Sequence, residues 1–255
     1  MRKMVHLTEE QRIRYARNIR IPGIGEVGQA KLRESRVAVV GLGGLGSPLC
    51  LYLAAAGIGT LGLIDADVVE LSNLQRQVLH ATSRIGKKKT ESAAEVLQAL
   101  NPEVNLVLVD RRVTAETAEG ILENYDVVAE ATDNFESKFL INDVCLRMKK
   151  PFATAGILGL SGQAQFVVPG KTPCLRCLFP QVPRGTPTTA ELGVLGAVPG
   201  ILGSLEALEI IRWVVGLWQP REDGSGRLHG VDGVSMSLRT LTVRRRPDCG
   251  CAAIR

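Results

Sequence analysis

Residues 36–65 constrain the fold more than any other stretch of this 255-residue chain. An apolar run, Val37-Ala38-Val39-Val40, leads directly into Gly41-Leu42-Gly43-Gly44-Leu45-Gly46. A helical segment from Ser47 to Ala56 follows, then a second apolar run from Thr60 to Ile64 that ends on Asp65. Strand, glycine turn, helix, strand and acid, in that order, predict a doubly wound α/β fold whose first helix offers its N-terminus to a phosphate. Gly41, Gly43, Gly44 and Gly46 form the candidate phosphate turn. Glycine alone permits the tight turn, the close backbone approach and the helix–strand contact. Asp65 lies about twenty residues on, where a ribose hydroxyl is held. A bare glycine turn would equally suit an empty α/β domain, so the surrounding residues decide.

Those residues are cationic. Asp65-Ala66-Asp67 is followed by Ser72-Asn73-Leu74-Gln75-Arg76-Gln77 and by Ile85-Gly86-Lys87-Lys88-Lys89-Thr90. A dehydrogenase needs no cations here, because the helix N-terminus already holds its pyrophosphate. An enzyme that cleaves a triphosphate does, since charge builds on the phosphates in the transition state. Arg76 and Lys89 are the candidate clamps, and Asp67, Asn73 and Gln77 are further candidate nucleotide contacts. Lys87 and Lys88 read as a solvated helix start.

Strands and helices alternate through the first two thirds. A helix is expected over residues 7–20, with Thr8 and Gln11 in capping-box spacing. Further helices are expected over 90–100, 114–124 and to about 148, and strands over 104–109, 126–132 and 151–155. This alternation predicts a mainly parallel sheet. Asp133 follows the strand at 126–132; it could cap the next helix or serve as a hard oxygen ligand for Mg²⁺. Strands at 163–168, 228–232 and 237–244 then add an antiparallel portion. Between them lie a Pro/Gly/Thr-rich crossover loop, Pro180 to Ala190, and an apolar helix, 195–215, interrupted early by Pro199 and Gly200. Trp213 and Trp218 read as core or subunit interface.

Cys174 and Cys177 are in C-x-x-C spacing and Cys249 and Cys251 in C-x-C spacing, which suits a tetrahedral Zn²⁺ site more than a disulfide in a reducing compartment. Cys50 and Cys145 read as inert buried thiols. His6, His80 and His229 are too scattered for a metal or a triad. The net charge of +5 is spread without aromatic interleaving, so nucleic acid is not the expected partner. Neither a signal peptide nor a membrane-length apolar stretch is apparent, and a cytoplasmic protein is expected.

Four motifs in order, Gly41–Gly46, Ser72–Gln77, Ala131-Thr132-Asp133-Asn134 and Cys174-Leu175-Arg176-Cys177, make the chain resemble the MoeB/ThiF/HesA-type adenylyltransferases. These are relatives of the ubiquitin-activating enzymes, and the resemblance runs from about Tyr15 to Cys251. It implies adenylation, with Mg-ATP, of the C-terminal glycine of a ubiquitin-like sulfur-carrier protein that ends in Gly-Gly. It also places Mg²⁺ on Asp133 and implies a homodimer in which Arg17 reaches the neighbouring subunit's phosphates. Three parts follow: an N-terminal helical arm (1–35), an ATP-binding part (36–170) and a carrier-binding part with the crossover loop and zinc site (171–255).

Many relatives carry a cysteine where this chain has Thr188-Thr189-Ala190-Glu191. A threonine hydroxyl cannot replace a thiolate as sulfur nucleophile at neutral pH. The enzyme is therefore expected to stop at the acyl-adenylate, with no sulfurtransferase domain after Arg255. The carrier's pathway stays open among molybdopterin, thiamin, thio-tRNA and cysteine. The competing readings are an NAD-dependent oxidoreductase, a non-catalytic carrier-binding scaffold, and a relative that adenylates a peptide or tRNA-linked carboxylate.

Overall fold

A computed structural model describes residues 6–183, 185 and 189–254, and a single eight-stranded sheet runs through them. The strands are β1 (Arg36–Val40), β2 (Thr60–Ile64), β3 (Asn105–Val109), β4 (Val127–Glu130), β5 (Phe152–Leu158), β6 (Ser161–Val167), β7 (Gly226–Asp232) and β8 (Ser237–Val243). Their spatial order is β3-β2-β1-β4-β5-β6-β7-β8. Strands β1 to β5 pair in parallel, and β6, β7 and β8 extend the sheet antiparallel. The mainly parallel sheet with an antiparallel extension is as expected.

The helices are α1 (Glu9–Arg14), α2 (Ala16–Ile19), α3 (Gly25–Glu34), α4 (Gly46–Ala56), α5 (Lys89–Leu100), α6 (Ala118–Leu122), α7 (Phe135–Arg147), α8 (Leu175–Leu178), α9 (Thr189–Leu192) and α10 (Ala197–Val215). They cover both faces, which is why β1 is apolar throughout rather than alternating. Val37 and Val39 turn to one core with Leu49, Leu53, Leu97 and Ile210, while Ala38 and Val40 turn to a second core with Leu122, Ile141 and Phe152. Trp213 and Trp218 pack with Phe166 inside the first core, with the two indole centroids 5.3 Å apart. They are core residues.

Three boundaries differ from expectation. The capping box at Thr8 and Gln11 is present, but the first helix breaks at Tyr15. Tyr15 is buried, and its hydroxyl accepts a hydrogen bond from Asn101 Nδ2 at 2.9 Å. The helix expected over 114–124 is shorter because Thr114 N donates to Thr117 Oγ1, which forms a turn ahead of α6. Pro199 and Gly200 do not interrupt α10. The helix starts at Ala197, so Pro199 sits in the first turn, where its missing N–H removes no intrahelical bond. Residues 184 and 186–188 of the crossover loop, Thr188 among them, lie outside the described residues. Among the described residues no helix is long and apolar enough to cross a membrane.

One polar group in α10 is out of place energetically. Glu206 is 1 % exposed, and neither carboxylate oxygen has a hydrogen-bond partner. Burial, reinforced by the nearby Glu130 and opposed by Lys138, pushes its carboxyl well above the ordinary 4.5. The native state then binds this proton more tightly than the unfolded chain does. Its contribution is intact below pH 4.5 and declines as pH rises towards the raised native value, by up to about 1.4 kcal/mol per pH unit. Glu206→Gln removes that dependence. Urea stabilities of the two proteins should diverge in the variant's favour as pH rises above 4.5, and a constant difference would show that the native carboxyl is not held above its ordinary value.

Candidate active site

The winding of the chain across the sheet reverses between β1 and β4, and a cavity of about 680 Å³ opens at the carboxyl ends of these parallel strands. Ligands in open α/β sheets bind at such a switch point, and this volume suits a small molecule. Val40 pairs with Ile64 on one side and Glu130 on the other, so the three strand ends are level. The turns that leave them supply the wall: Gly41, Gly43 and Gly44 after β1, Asp65 and Asp67 after β2, and Asp133 after β4.

The glycine turn is dictated by contact. Gly41 has φ +98°, and a Cβ there would lie 2.6 Å from the carbonyl oxygen of Ala131. A Cβ on Gly46 would lie 2.0 Å from the carbonyl oxygen of Gly41. Gly46 thus belongs to the packing behind the turn, while Gly43 and Gly44 face the cavity together with Gly41. Asp65 ties the turn to β2. Its Oδ2 accepts from Leu42 N at 2.8 Å and its Oδ1 from Asp67 N at 2.9 Å. Each carboxylate oxygen keeps a lone pair for a ligand hydroxyl. His80 braces the turn from behind, with Nε2 3.0 Å from Leu42 O and Nδ1 2.9 Å from Ser92 Oγ. Burial holds its pKa below the ordinary value, so the ring is neutral.

Arg76, Gln77 and Lys89 also line the cavity. Lys89 is almost fully buried, and its Nζ lies 3.1 Å from Asp67 Oδ2. Lys87 and Lys88, by contrast, point away and pair with Glu95 and Asp110. Asn73 lies off the wall: its Oδ1 accepts from Glu70 N at 3.3 Å and shapes the short turn at 71–73. Arg17 is exposed on α2 and is likewise off the wall. Asp133 is exposed, with Asn134 Nδ2 3.4 Å away, and Asn134 caps α7 through Ser137 N at 2.8 Å. The cap and the free carboxylate are therefore different residues, and Asp133 is a hard oxygen donor available to a divalent cation.

Lys138, Thr154, Gln163 and Gln165 line the cavity too, and sequence reasoning missed them. A signal existed for two. Lys138 sits one helical turn after the cap Asn134, and Thr154 is the one polar residue in Phe152-Ala153-Thr154-Ala155.

The four paired cysteines converge elsewhere. Their sulfur atoms lie within 4.8 Å of one another, with Cys174 3.6 Å from Cys249 and Cys177 3.4 Å from Cys251. One intervening residue is thus enough for Cys249 and Cys251 to reach the same centre. Thiols this close cannot all ionise unaided. Hydrogen bonds from its neighbours hold the Cys177 thiol far below the usual range, while Cys174 is pushed up in turn. A soft cation would resolve the conflict, and the donor set fits Zn²⁺.

A sequence model of the ThiF family matches residues 15–252. The chain belongs to the ThiF family. This ThiF-family chain is 43% identical to "Adenylyltransferase and sulfurtransferase MOCS3" of Culex quinquefasciatus over 248 residues, 95% of this chain and 56% of that protein. It is also 43% identical to the Mus musculus protein of the same name, over 95% of this chain and 53% of the relative. It therefore spans about half the length of the curated relatives it matches. A crystal structure of E. coli MccB with ATP superposes with a TM-score of 0.80 at 25% identity, covering 94% of this chain and 74% of that one.

The ThiF-family turn makes a direct stability prediction. Gly41→Ala combines an unfavourable φ with a backbone clash and should cost about 1–3 kcal/mol in urea unfolding. A loss no larger than that of an exposed substitution would mean that the turn tolerates a side chain.

Proposed function

We propose that this chain is an adenylyltransferase that uses Mg-ATP to adenylate the C-terminal glycine of a ubiquitin-like sulfur-carrier protein. One observation carries the proposal: the glycine turn, Arg76, Lys89 and Asp133 surround a single cavity at the switch point. Four cationic side chains (Arg76, Lys89, Arg111 and Arg112) stand there against three carboxylates (Asp65, Asp67 and Asp133), a balance that favours a polyphosphate. The MOCS3 relatives and the ATP-bound MccB structure support the same chemistry. An NAD-dependent oxidoreductase leaves the cations and Asp133 without a role.

A carboxylate oxygen of the carrier attacks the α-phosphorus of ATP, a C–O–P bond forms, and the α–β phosphoanhydride breaks to release pyrophosphate. No general base is needed, because the carboxylate is already ionised at pH 7. Catalysis is then positioning and charge stabilisation. Gly41, Gly43 and Gly44 let the phosphates approach backbone, Asp65 receives the ribose, Arg76 and Lys89 neutralise phosphate charge, and Gln77 is a polar contact. Mg²⁺ held by Asp133 would screen the phosphates when bound. Residues 36–170 form the ATP-binding part, 171–255 the carrier-binding part, and 1–35 an arm that presents Arg17.

A homodimer is part of the proposal. Ile201 and Leu208 on α10, and Tyr52 on α4, are exposed apolar side chains that a second copy would cover, and the homodimer is what gives the exposed Arg17 a role at a neighbouring cavity. Zn²⁺ at Cys174, Cys177, Cys249 and Cys251 ties the segment after β6 to the segment after β8. A reducing, cytoplasmic setting suits these free thiols. Cys50 and Cys145 are fully buried, with the Cys145 thiol pushed up to about 12, and neither is a sulfur nucleophile. The described residues accordingly carry the reaction as far as the acyl-adenylate.

ATP–pyrophosphate exchange should appear only when a small ubiquitin-like protein ending in Gly-Gly is added. Asp133→Ala should reduce it by at least about 100-fold without changing the fold. Exchange without a carrier, or with a short peptide alone, would instead select another carboxylate as substrate. Metal analysis should find one zinc per chain, and Cys177→Ser should lose the metal and lower the melting temperature. A metal-free protein of unchanged stability would remove the zinc assignment.

A further inference from the structure

Glu130 ends β4 directly below the turn that carries Asp133, and it is fully buried. Its Oε1 accepts from Thr132 N at 2.8 Å and from the Thr132 hydroxyl at 2.5 Å. Its Oε2 accepts from the Thr154 hydroxyl at 2.5 Å. Lys138 Nζ reaches both oxygens, at 3.2 and 2.9 Å, and also donates to Ala155 O at 2.6 Å. Every hydrogen-bond partner of Glu130 is a donor, and they arrive from the turn after β4, from β5 and from α7. Only an ionised carboxylate can accept from all of them at once, because an amide in its place would turn an NH₂ towards donors.

We infer that Glu130 is a positioning residue for the Mg²⁺-binding turn. It clamps Thr132, the residue immediately before Asp133, to the Lys138 ammonium and to β5. The inference rests on the assignment of Mg²⁺ to Asp133. The Asp133 side chain is exposed and has no strong hydrogen bond to fix it, so the backbone beneath it sets its position. Two anchors hold that backbone: the Asn134 cap on one side, and Glu130 on the other. Glu130 is itself compelled to stay, because a buried Lys138 without its counter-ion would be strongly destabilising. Glu206 also faces the pair from α10, with its carboxyl held well above the ordinary 4.5 by burial and by Glu130. The carboxylate that holds the metal ligand is thus distinct from the ligand and inaccessible to substrate.

The test is calorimetry of α,β-methylene-ATP binding over a series of Mg²⁺ concentrations, with wild type, Glu130→Gln, Glu130→Gln/Lys138→Met and Asp133→Ala. The double variant removes both charges together, so it folds without an unpaired buried ion, and thermal melts verify this. Glu130→Gln and the double variant should each raise the Mg²⁺ needed for half-maximal enhancement of nucleotide binding by about 10-fold or more, with Mg²⁺-free affinity kept within about twofold. An unchanged Mg²⁺ requirement in the double variant would overturn the inference. So would equal losses with and without Mg²⁺, which indicate a general structural role. If wild-type binding itself ignored Mg²⁺, or Asp133→Ala changed nothing, the magnesium assignment would fail first.

Discussion

At the centre of the structure, backbone meets backbone without side chains between. The turn after β1 presses against Ala131 at the end of β4 and against the first turn of α4, with room for no Cβ at Gly41 or Gly46. That contact lets β1 and β4 lie side by side while their connections leave in opposite directions. The cavity exists because of this divergence. Move the turn outward by one methyl group, and the helix N-terminus, the Asp65 hydrogen bond to Leu42 N and the Asp133 turn all lose their common origin.

Charge is arranged around that contact in two layers. On the cavity wall, Lys89 is paired with Asp67, and Arg76 stands near the glycine turn with one guanidinium nitrogen 3.1 Å from Ser72 O. Lys89 is itself nearly buried, but its partner Asp67 is exposed at the cavity. Below the wall, Glu130 and Lys138 form a buried pair, with every carboxylate oxygen occupied. Exposed pairs contribute little and rearrange easily, whereas a buried pair is costly to open. The adaptable charges therefore face the ligand, and the fixed charges hold the scaffold.

The cysteine cluster solves a different problem. Strand β6 is joined to β7 by a long excursion, and the segment after β8 would have little to hold it. Four sulfur atoms drawn from two distant stretches bring those ends together at a point, and three of the cysteines pack into the second hydrophobic core.

The β1–α4–β2 unit and its acid were legible in the sequence, because a glycine turn between two apolar runs admits few other conformations. The alternation that follows it specified the parallel sheet, and C-x-x-C with C-x-C specified a shared centre. Local rules went wrong where tertiary contacts override them. Tyr15 breaks the first helix to reach a buried Asn101, and Pro199 is harmless because α10 begins just before it. Asn73 has the right neighbours in sequence but spends its side chain on its own turn. Lys138, Thr154 and Glu130 belong to three elements whose proximity depends on the order of β4 and β5 in the sheet. Short-range physics, glycine sterics and thiol spacing, is written residue by residue and could be read directly. The pairing of charges beneath the cavity arises only when strands distant in the chain come level, and only the tertiary structure could decide it.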